Sequence, residues 1–449
     1  MSLASTAPGL LSQTQGYLRA MSVFGEAGTV DAYLQFEAAL AEVQGRLGII
    51  PAEAAAPVAA ACRSGGLDLD LLRVRSATVG YPIAPLVEMV AEKVGPHGQW
   101  VHYGATTQDA MDTGQVLQLR AALGPVLADL DRTVGLLADL CARHRHTPMA
   151  GRSKLQHGVP ITFGYKVAVW LDQIARARDD LAAALDAASV LQFGGAVGTL
   201  ASLRDRGMAV RQALAERLDL TEPDISWHVS RDRMARLTGA VAAMLAALGR
   251  MAVDIAHMMS TEVGELAEPA AAGRGSSSTM PQKRNPVICE AMIEAARTVQ
   301  GAPAVVLDAM LQEHERGLGH GYRERMAICD ATAQLAGAAT LSAELLAGLE
   351  VNVDRMRANL DLTGGLIHSE AAMIHLSEKL GRLRAHAVLH EVAHRVGNGG
   401  AGFEAALAEV AGETLPPGLT DAAAGTDAAA AMIDRVLARI GGAVRDVAE

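Results

Sequence analysis

Aromatic residues are nearly missing from this chain: they make up 3 % of its 449 residues, against 50 % hydrophobic residues overall. A core must therefore be built from Ala, Leu, Val and Met. Alanine and leucine are strong helix formers, and small alanines let helices pack closely, so the composition predicts an all-α protein. Cysteine is scarce as well. The four residues, Cys62, Cys141, Cys289 and Cys329, stand far apart, with no pair at metal-ligand or redox spacing. They read as reduced thiols of a cytoplasmic protein. A cationic excess is also lacking: the formal net charge of -11 argues against nucleic acid as a partner, while leaving room for a local cationic pocket. No run of about 18 apolar residues suggests a membrane span. The start, MSLASTAPGLLSQTQ, lacks the basic residues and apolar stretch of a signal peptide.

What the chain does have is helical periodicity. Leu34, Ala38, Val43 and Leu47 predict an amphipathic helix over 31–47, ending before Gly48 and Pro51. From Leu123, the series Val126, Leu127, Leu130, Val134, Leu137 and Leu140 advances in steps of three and four, one face of a long helix. A second series runs from Leu237 through Val241, Met244, Leu248, Met251 and Ile255 to Val263. A continuous helix over 232–265 would span roughly 50 Å. Helices of that length belong to a coiled coil or a large bundle. Three parts follow: an N-terminal helical domain over 1–110, a central bundle of long helices over 111–350 and a C-terminal helical domain over 351–449.

Polar islands interrupt this pattern. They are HYGATTQDAMDTG (102–114), AGRSKLQHGVPITFG (150–164), SWHVSRDRM (226–234), GSSSTMPQKRNP (275–286) and QEHERGLGHGYRERM (312–326). Taken singly, each has a structural explanation. Thr106 and Asp109 can cap a helix, Lys154 can be a solvated charge, and Arg231 a surface ion-pair partner. Taken together, they supply the cations Lys154, Arg231, Lys283, Arg284 and Arg316 beside the neutral donors Thr106, Thr107, Gln156 and Asn285. That set suits an anion. Asn285 can cap a helix whose first residue is Pro286, and Lys283 and Asn285 at its N-terminus can bind a carboxylate with help from free backbone amides. The same group would stabilise extra negative charge on that carboxylate in a transition state. The glycine–serine segment beside it can act as a lid.

The segment SSSTMPQKRNP resembles the signature GSSxMPxKxNP of the aspartase/fumarase superfamily. The resemblance runs through nearly the whole chain and is closest to the 3-carboxy-cis,cis-muconate cycloisomerase branch, on VHYGATTQDAMDTG, LQFGGAVGTL, TMPQKRNPV, QEHERGLG and NLDLTGGL. It implies three mostly helical domains with a central bundle of long helices. It also implies a homotetramer in which each active site draws segments from three subunits, chemistry without metal or organic cofactor, and a small dicarboxylate substrate. Ser277 falls on the presumed base, while Lys283 and Asn285 fall on the signature lysine and asparagine. The base removes a proton beside a carboxylate, giving an aci-carboxylate, and a group then leaves the neighbouring carbon.

The chain departs from its branch inside the islands. Ser153–Lys154 stands where relatives have Thr-His or a tryptophan, Gln282 replaces a histidine, Ser230 replaces a glutamine, and Ser276 replaces a glycine. The tryptophan-bearing stretch after HERSLG becomes His320, Gly321, Tyr322, Arg323 and Glu324. Losing an indole and gaining an ammonium favours a small, highly anionic substrate over a flat muconate. Without a histidine to protonate it, the leaving group should be stable as an anion, as nitrite is. The expectation is β-elimination from a substituted succinate to fumarate, with nitrosuccinate favoured. Ser277 would be the base and Lys154 would steady the departing anion. Thr106, Thr107, Gln156, Arg231, Lys283, Asn285 and Arg316 would bind the substrate. The alternatives are a lactonising 3-carboxymuconate cycloisomerase and, ranked below it, an adenylosuccinate-type lyase or a non-catalytic relative.

Overall fold

The structure is a computed structural model and describes residues 9–271, 273–319, 321–399, 402–422 and 425–446. His320 and the first eight residues lie outside this set. Helix takes up 70 % and strand 5 %, so the protein is all-α. The order opens with α1 (Gln15–Phe24), α2 (Glu26–Arg46), α3 (Ala52–Arg63), α4 (Leu69–Val79), α5 (Ile83–Val94) and α6 (Thr107–Arg143). Next come β1 (Pro148–Ser153), β2 (Gln156–Thr162), α7 (Phe163–Ala188), α8 (Gly207–Leu218), α9 (Asp232–Met258), β3 (Leu266–Ala267) and α10 (Val287–Thr298). It closes with α11 (Ala302–Asp308), α12 (Gly321–Ala347), β4 (Glu350–Val351), α13 (Val353–Leu360), α14 (Ser369–Leu380), α15 (Arg382–Gly397), α16 (Phe403–Ala411) and α17 (Asp427–Asp446).

These elements form two compact units. The first comprises residues 9–130, 177–249 and 291–341, among those described. Its core is mainly aliphatic, as the composition requires, with Tyr33, Phe36, Phe193 and Trp227 among the buried exceptions; the Phe36 and Phe193 ring centroids lie 6.4 Å apart. Small residues set the helix spacing: a Cβ added at Gly45 in α2 would meet the Ala55 Cβ of α3 at 2.3 Å. The second unit comprises 131–176, 250–290 and 342–446, among those described. Here α14, α15 and α16 bury Leu376, Leu389, Val392, Phe403 and Leu407 against one another. Beside them stand two small antiparallel pairs, β1 with β2 and β3 with β4.

Of the long helices, α6 starts where the capping reading of Thr106 and Asp109 puts it. It begins at Thr107, with Asp112 and Thr113 in its first turns. Leu123, Val126, Leu130, Val134, Leu137 and Leu140 are buried as the periodicity requires. Helix α9 stops at Met258, giving 27 residues and about 40 Å, not 34 residues and 50 Å. Gly264 at φ +61° reverses the chain there, with its N–H donating to the Ser260 carbonyl at 2.8 Å and that of Glu265 to the Met258 carbonyl at 2.9 Å. By length and composition α9 could cross a bilayer. Its apolar residues Leu237, Val241, Met244, Leu248, Met251 and Ile255 are instead buried in the protein's own core.

Candidate functional site

In the first unit, the start of α6 is organised by one carboxylate. Asp109 is fully buried and accepts the Thr106 N–H at 3.0 Å, so an acidic residue in the first turn reaches back to the preceding amide. It also accepts the N–H groups of Gly194 and Gly195, each at 2.9 Å, and meets His228 Nε2 at 2.8 Å. A buried charge needs such partners. Asp109 therefore ties the Thr106 turn, the LQFGG segment and the SWHVSR segment to one point. Gln108 extends the network, donating to the His228 carbonyl at 2.8 Å and to Asp112 Oδ2 at 3.1 Å.

Two arginines meet this scaffold in different ways. Arg316 is exposed and donates from Nη1 to Thr106 Oγ1 at 2.8 Å and from Nε to Gln108 Oε1 at 3.2 Å. It has no carboxylate partner among the described residues, so its charge is available to a ligand. Arg231 is expected from sequence among the substrate-binding cations, or on the surface. It is in fact 3 % exposed, with Nη1 on Asp112 Oδ2 at 2.9 Å and Nε and Nη2 on the Glu324 carboxylate at 2.9 and 2.5 Å. Its guanidinium also lies 5.0 Å from the Trp227 ring centroid. Burial works against the Arg231 charge, but Asp112 and Glu324 outweigh it and raise the pKa. Arg231 is thus a wall of the site whose charge is already spent. A cavity of about 210 Å³ opens here, lined by Thr107, Gln108, Arg231, Arg316, Tyr322 and Arg325 among others.

In the second unit, AGRSKLQHGVPITFG is a β-hairpin, where helix dominates the rest of the chain. Ser153 pairs with Gln156, leaving a two-residue turn of Lys154 (φ +51°) and Leu155 (φ +66°). Positive φ at both positions is the type I′ pattern, which matches strand twist but usually recruits Asn-Gly. Lys154, Leu155 and Gln156 are exposed, and Lys154 has no ion-pair partner among the described residues. The hairpin base is rigid. Arg152 forms a two-pronged contact with buried Glu265, at 2.9 and 2.6 Å, and Asn359 Nδ2 donates to the same carboxylate at 2.8 Å. His157, paired across from Arg152, has a buried Nδ1 without a partner among the described residues. Burial, then the Arg152 charge, lowers its pKa.

The GSSSTMPQKRNP loop belongs to the same unit. Ser277 Oγ accepts the backbone N–H groups of Thr279 at 3.3 Å and Met280 at 3.1 Å. Two donors on one hydroxyl oxygen favour its deprotonated form. Arg284 anchors the far end of the loop by a two-pronged contact with Glu350, at 3.1 and 2.9 Å, and a bond to the Glu268 carbonyl at 2.6 Å. Lys283, Asn285, Ser276 and Pro281 line a second cavity, of about 320 Å³.

The start of α10 differs from the sequence expectation. Its first residue is Val287, and the Pro286 carbonyl accepts the Glu290 N–H at 2.9 Å. The cap is neither Asn285 nor a free anion site. Buried Glu268 accepts the N–H groups of Ile288 and Cys289 at 3.0 and 2.7 Å, satisfying the amides expected to bind substrate. Asn285 Nδ2 donates to the Gly275 carbonyl at 3.0 Å, holding the loop closed on itself and leaving one N–H for a ligand.

Of the sequence-derived residues, Thr106, Thr107, Arg231 and Arg316 come together in the first unit. Lys283, Asn285 and Ser277 share one loop of the second, and Lys154 and Gln156 share its hairpin tip. Asp112, Glu324, Glu265 and Glu268 were not singled out as site residues from sequence, yet Asp112 and Glu324 hold Arg231, Glu268 holds the first amides of α10, and Glu265 holds Arg152 at the hairpin base. Only Asp109 carried a local signal, its capping position three residues after Thr106.

Comparisons with known proteins agree on the family. A family model described as "Lyase" matches residues 17–301. A 3-carboxy-cis,cis-muconate cycloisomerase of Pseudomonas aeruginosa is 43 % identical over 378 residues, covering 83 % of this chain and 82 % of that protein. A nitrosuccinate lyase of Streptomyces davaonensis is 41 % identical over 415 residues, covering 90 % and 86 %. Among solved structures, the 3-carboxy-cis,cis-muconate lactonizing enzyme of Pseudomonas putida superposes with a TM-score of 0.88 at 39 % identity, covering 94 % of this chain and 96 % of that one.

Proposed function

Because the chain belongs to the aspartase/fumarase superfamily of lyases, in its cycloisomerase-like branch, we propose that it eliminates an anion from a substituted succinate to give fumarate, with nitrosuccinate the favoured substrate. Ser277 removes the proton beside one carboxylate, with the Thr279 and Met280 amides holding its oxygen as the alkoxide. Lys283 and the remaining Asn285 N–H hold that carboxylate as it takes on aci character. The C–N electron pair then leaves with nitrite, the C–H pair becomes the double bond of fumarate, and the proton on Ser277 returns to solvent. Thr106, Thr107 and Arg316 hold the other carboxylate, Gln156 supplies a neutral donor, and Lys154 meets the departing anion. Arg231 supports this reading only as the wall that positions its neighbours. The reading includes a cytoplasmic homotetramer in which the segments around Thr106, Lys154 and Ser277 come from three different copies.

Lys154 carries the proposal. It is an exposed ammonium on a tight turn, with no counter-ion among the described residues, at the place where cycloisomerases often carry a tryptophan. Nitrite needs a cation there, not an acid. The alternative, a cycloisomerase closing a lactone on 3-carboxymuconate, draws support from the P. aeruginosa and P. putida relatives. Against it, no tryptophan lines either cavity among the described residues. One experiment separates them: mix the protein with nitrosuccinate and follow fumarate by ultraviolet absorbance and nitrite colorimetrically. Equal yields of both are expected, with Ser277→Ala lowering kcat by about 10²–10⁴-fold. If neither product forms and 3-carboxymuconate is consumed instead, the cycloisomerase reading replaces this one.

A further inference from the structure

The first-unit cavity contains a charge that the proposed chemistry has not used. Four charged side chains besides Arg316 bear on it: Arg231, its two carboxylates Asp112 and Glu324, and Arg325. Arg325 is half-buried, and its hydrogen bonds go to neutral acceptors, from Nη2 to the Met111 carbonyl at 2.5 Å and from Nη1 to Gln118 Oε1 at 3.3 Å. The guanidinium carbon lies 5.7 Å from the centroid of the buried Tyr33 ring. No carboxylate among the described residues pairs with it. The triad of Arg231, Asp112 and Glu324 carries one net negative charge, which offsets one of the two free guanidinia. One positive charge is left over, the amount that a single carboxylate neutralises.

We propose that Arg325 is a second carboxylate-binding residue of this cavity, taking with Arg316 and Thr106 the carboxylate of the substrate that does not react. It is placed for the task. The carbonyl and Gln118 hold two of its nitrogens in position, and Tyr33 supports the guanidinium plane, so little side-chain freedom is lost when an anion arrives. Arg231 is excluded from the same duty because both of its edges are occupied. The cavity therefore selects an acid over its uncharged amide or ester. This assignment rests on the reading of the cavity as a substrate-carboxylate site.

The test uses the intact protein and succinate, an unreactive dicarboxylate, titrated by calorimetry. Arg325→Gln should weaken succinate binding by about ten- to hundredfold, while Arg325→Lys, which keeps the charge, retains most of it. Combining Arg325→Gln with Arg316→Gln should weaken binding by less than the product of the two single effects, because both residues hold one group. Equal losses in Arg325→Gln and Arg325→Lys would mean that Arg325 only braces α6 against α12, overturning the assignment. If Arg316→Gln weakens binding and Arg325→Gln does not, the assignment falls and the carboxylate reading of the cavity stands. If neither variant changes succinate affinity, the cavity is not the carboxylate site and both fall together.

Discussion

His102 shows what a single residue contributes to this site. It lies at φ +60°, an uncommon conformation for a side-chain-bearing residue, at the head of the turn that delivers Thr106. Its Nδ1 meets Glu37 Oε1 at 2.6 Å, and Glu37 is 1 % exposed. Burial lowers the His102 pKa, but the charge and hydrogen bond of Glu37, aided by the charge of Asp109, overcome it and raise the pKa above its ordinary 6.5. A raised folded-state value means that the pair stabilises the protein fully below pH 6.5 and loses this contribution as pH climbs through the folded-state pKa. Denaturation midpoints should therefore fall as pH rises above about 6.5, and His102→Gln should flatten that slope. An unchanged slope in the variant would assign the dependence to other groups. From sequence, His102 is visible as part of a polar island, but Glu37 is 65 residues earlier in a stretch that reads only as helix.

At the scale of elements, the hairpin of β1 and β2 is the feature that composition conceals. A chain this rich in alanine and leucine predicts helix throughout, and the stretch Gln156–Thr162 alternates too weakly to announce a strand. What makes it one is tertiary: Arg152, Glu265 and Asn359 lock the base, so the tip can hold two non-glycine residues at positive φ. Such conformations cost of order 1–3 kcal/mol each, and they collect at functional sites. Replacing Lys154–Leu155 by Asn-Gly should stabilise the protein by roughly 1–3 kcal/mol in denaturant titrations while lowering turnover at least tenfold. A stabilised variant with full activity would remove Lys154 from the mechanism. Helix α10 shows the complementary case. Its start is legible to within two residues from Asn285–Pro286, but its cap is not, because Glu268 precedes Ile288 by 20 residues and reaches it only through the fold.

For the whole molecule, the boundary between the two units cuts α6, α7, α9, α10 and α12, and the candidate residues divide between the units. The division into three domains, at 110 and 350, and the shared-site tetramer remain proposals. The tetramer has a direct test. Ser277→Ala and Arg316→Gln chains, each inactive alone, should regain measurable activity when unfolded together and refolded as a mixture, because some sites then combine intact segments from different copies. Activity no greater than the sum of the separate samples would place each site within one chain.

The sequence by itself determined that this is an all-α protein of the aspartase/fumarase superfamily, because helix propensity, apolar spacing and the loop signature are all local properties of the chain. It also named most of the polar groups, because lysines, arginines and threonines stand out against an apolar background. Only the tertiary structure decided which of those charges are still available. Asp112 and Glu324 neutralise Arg231, Glu268 occupies the amides of α10, and Arg316 and Arg325 are left facing a cavity without carboxylate partners among the described residues. Charge compensation depends on distance in space, and the partners here are separated in sequence by 20 to 119 residues. No spacing rule reaches that far.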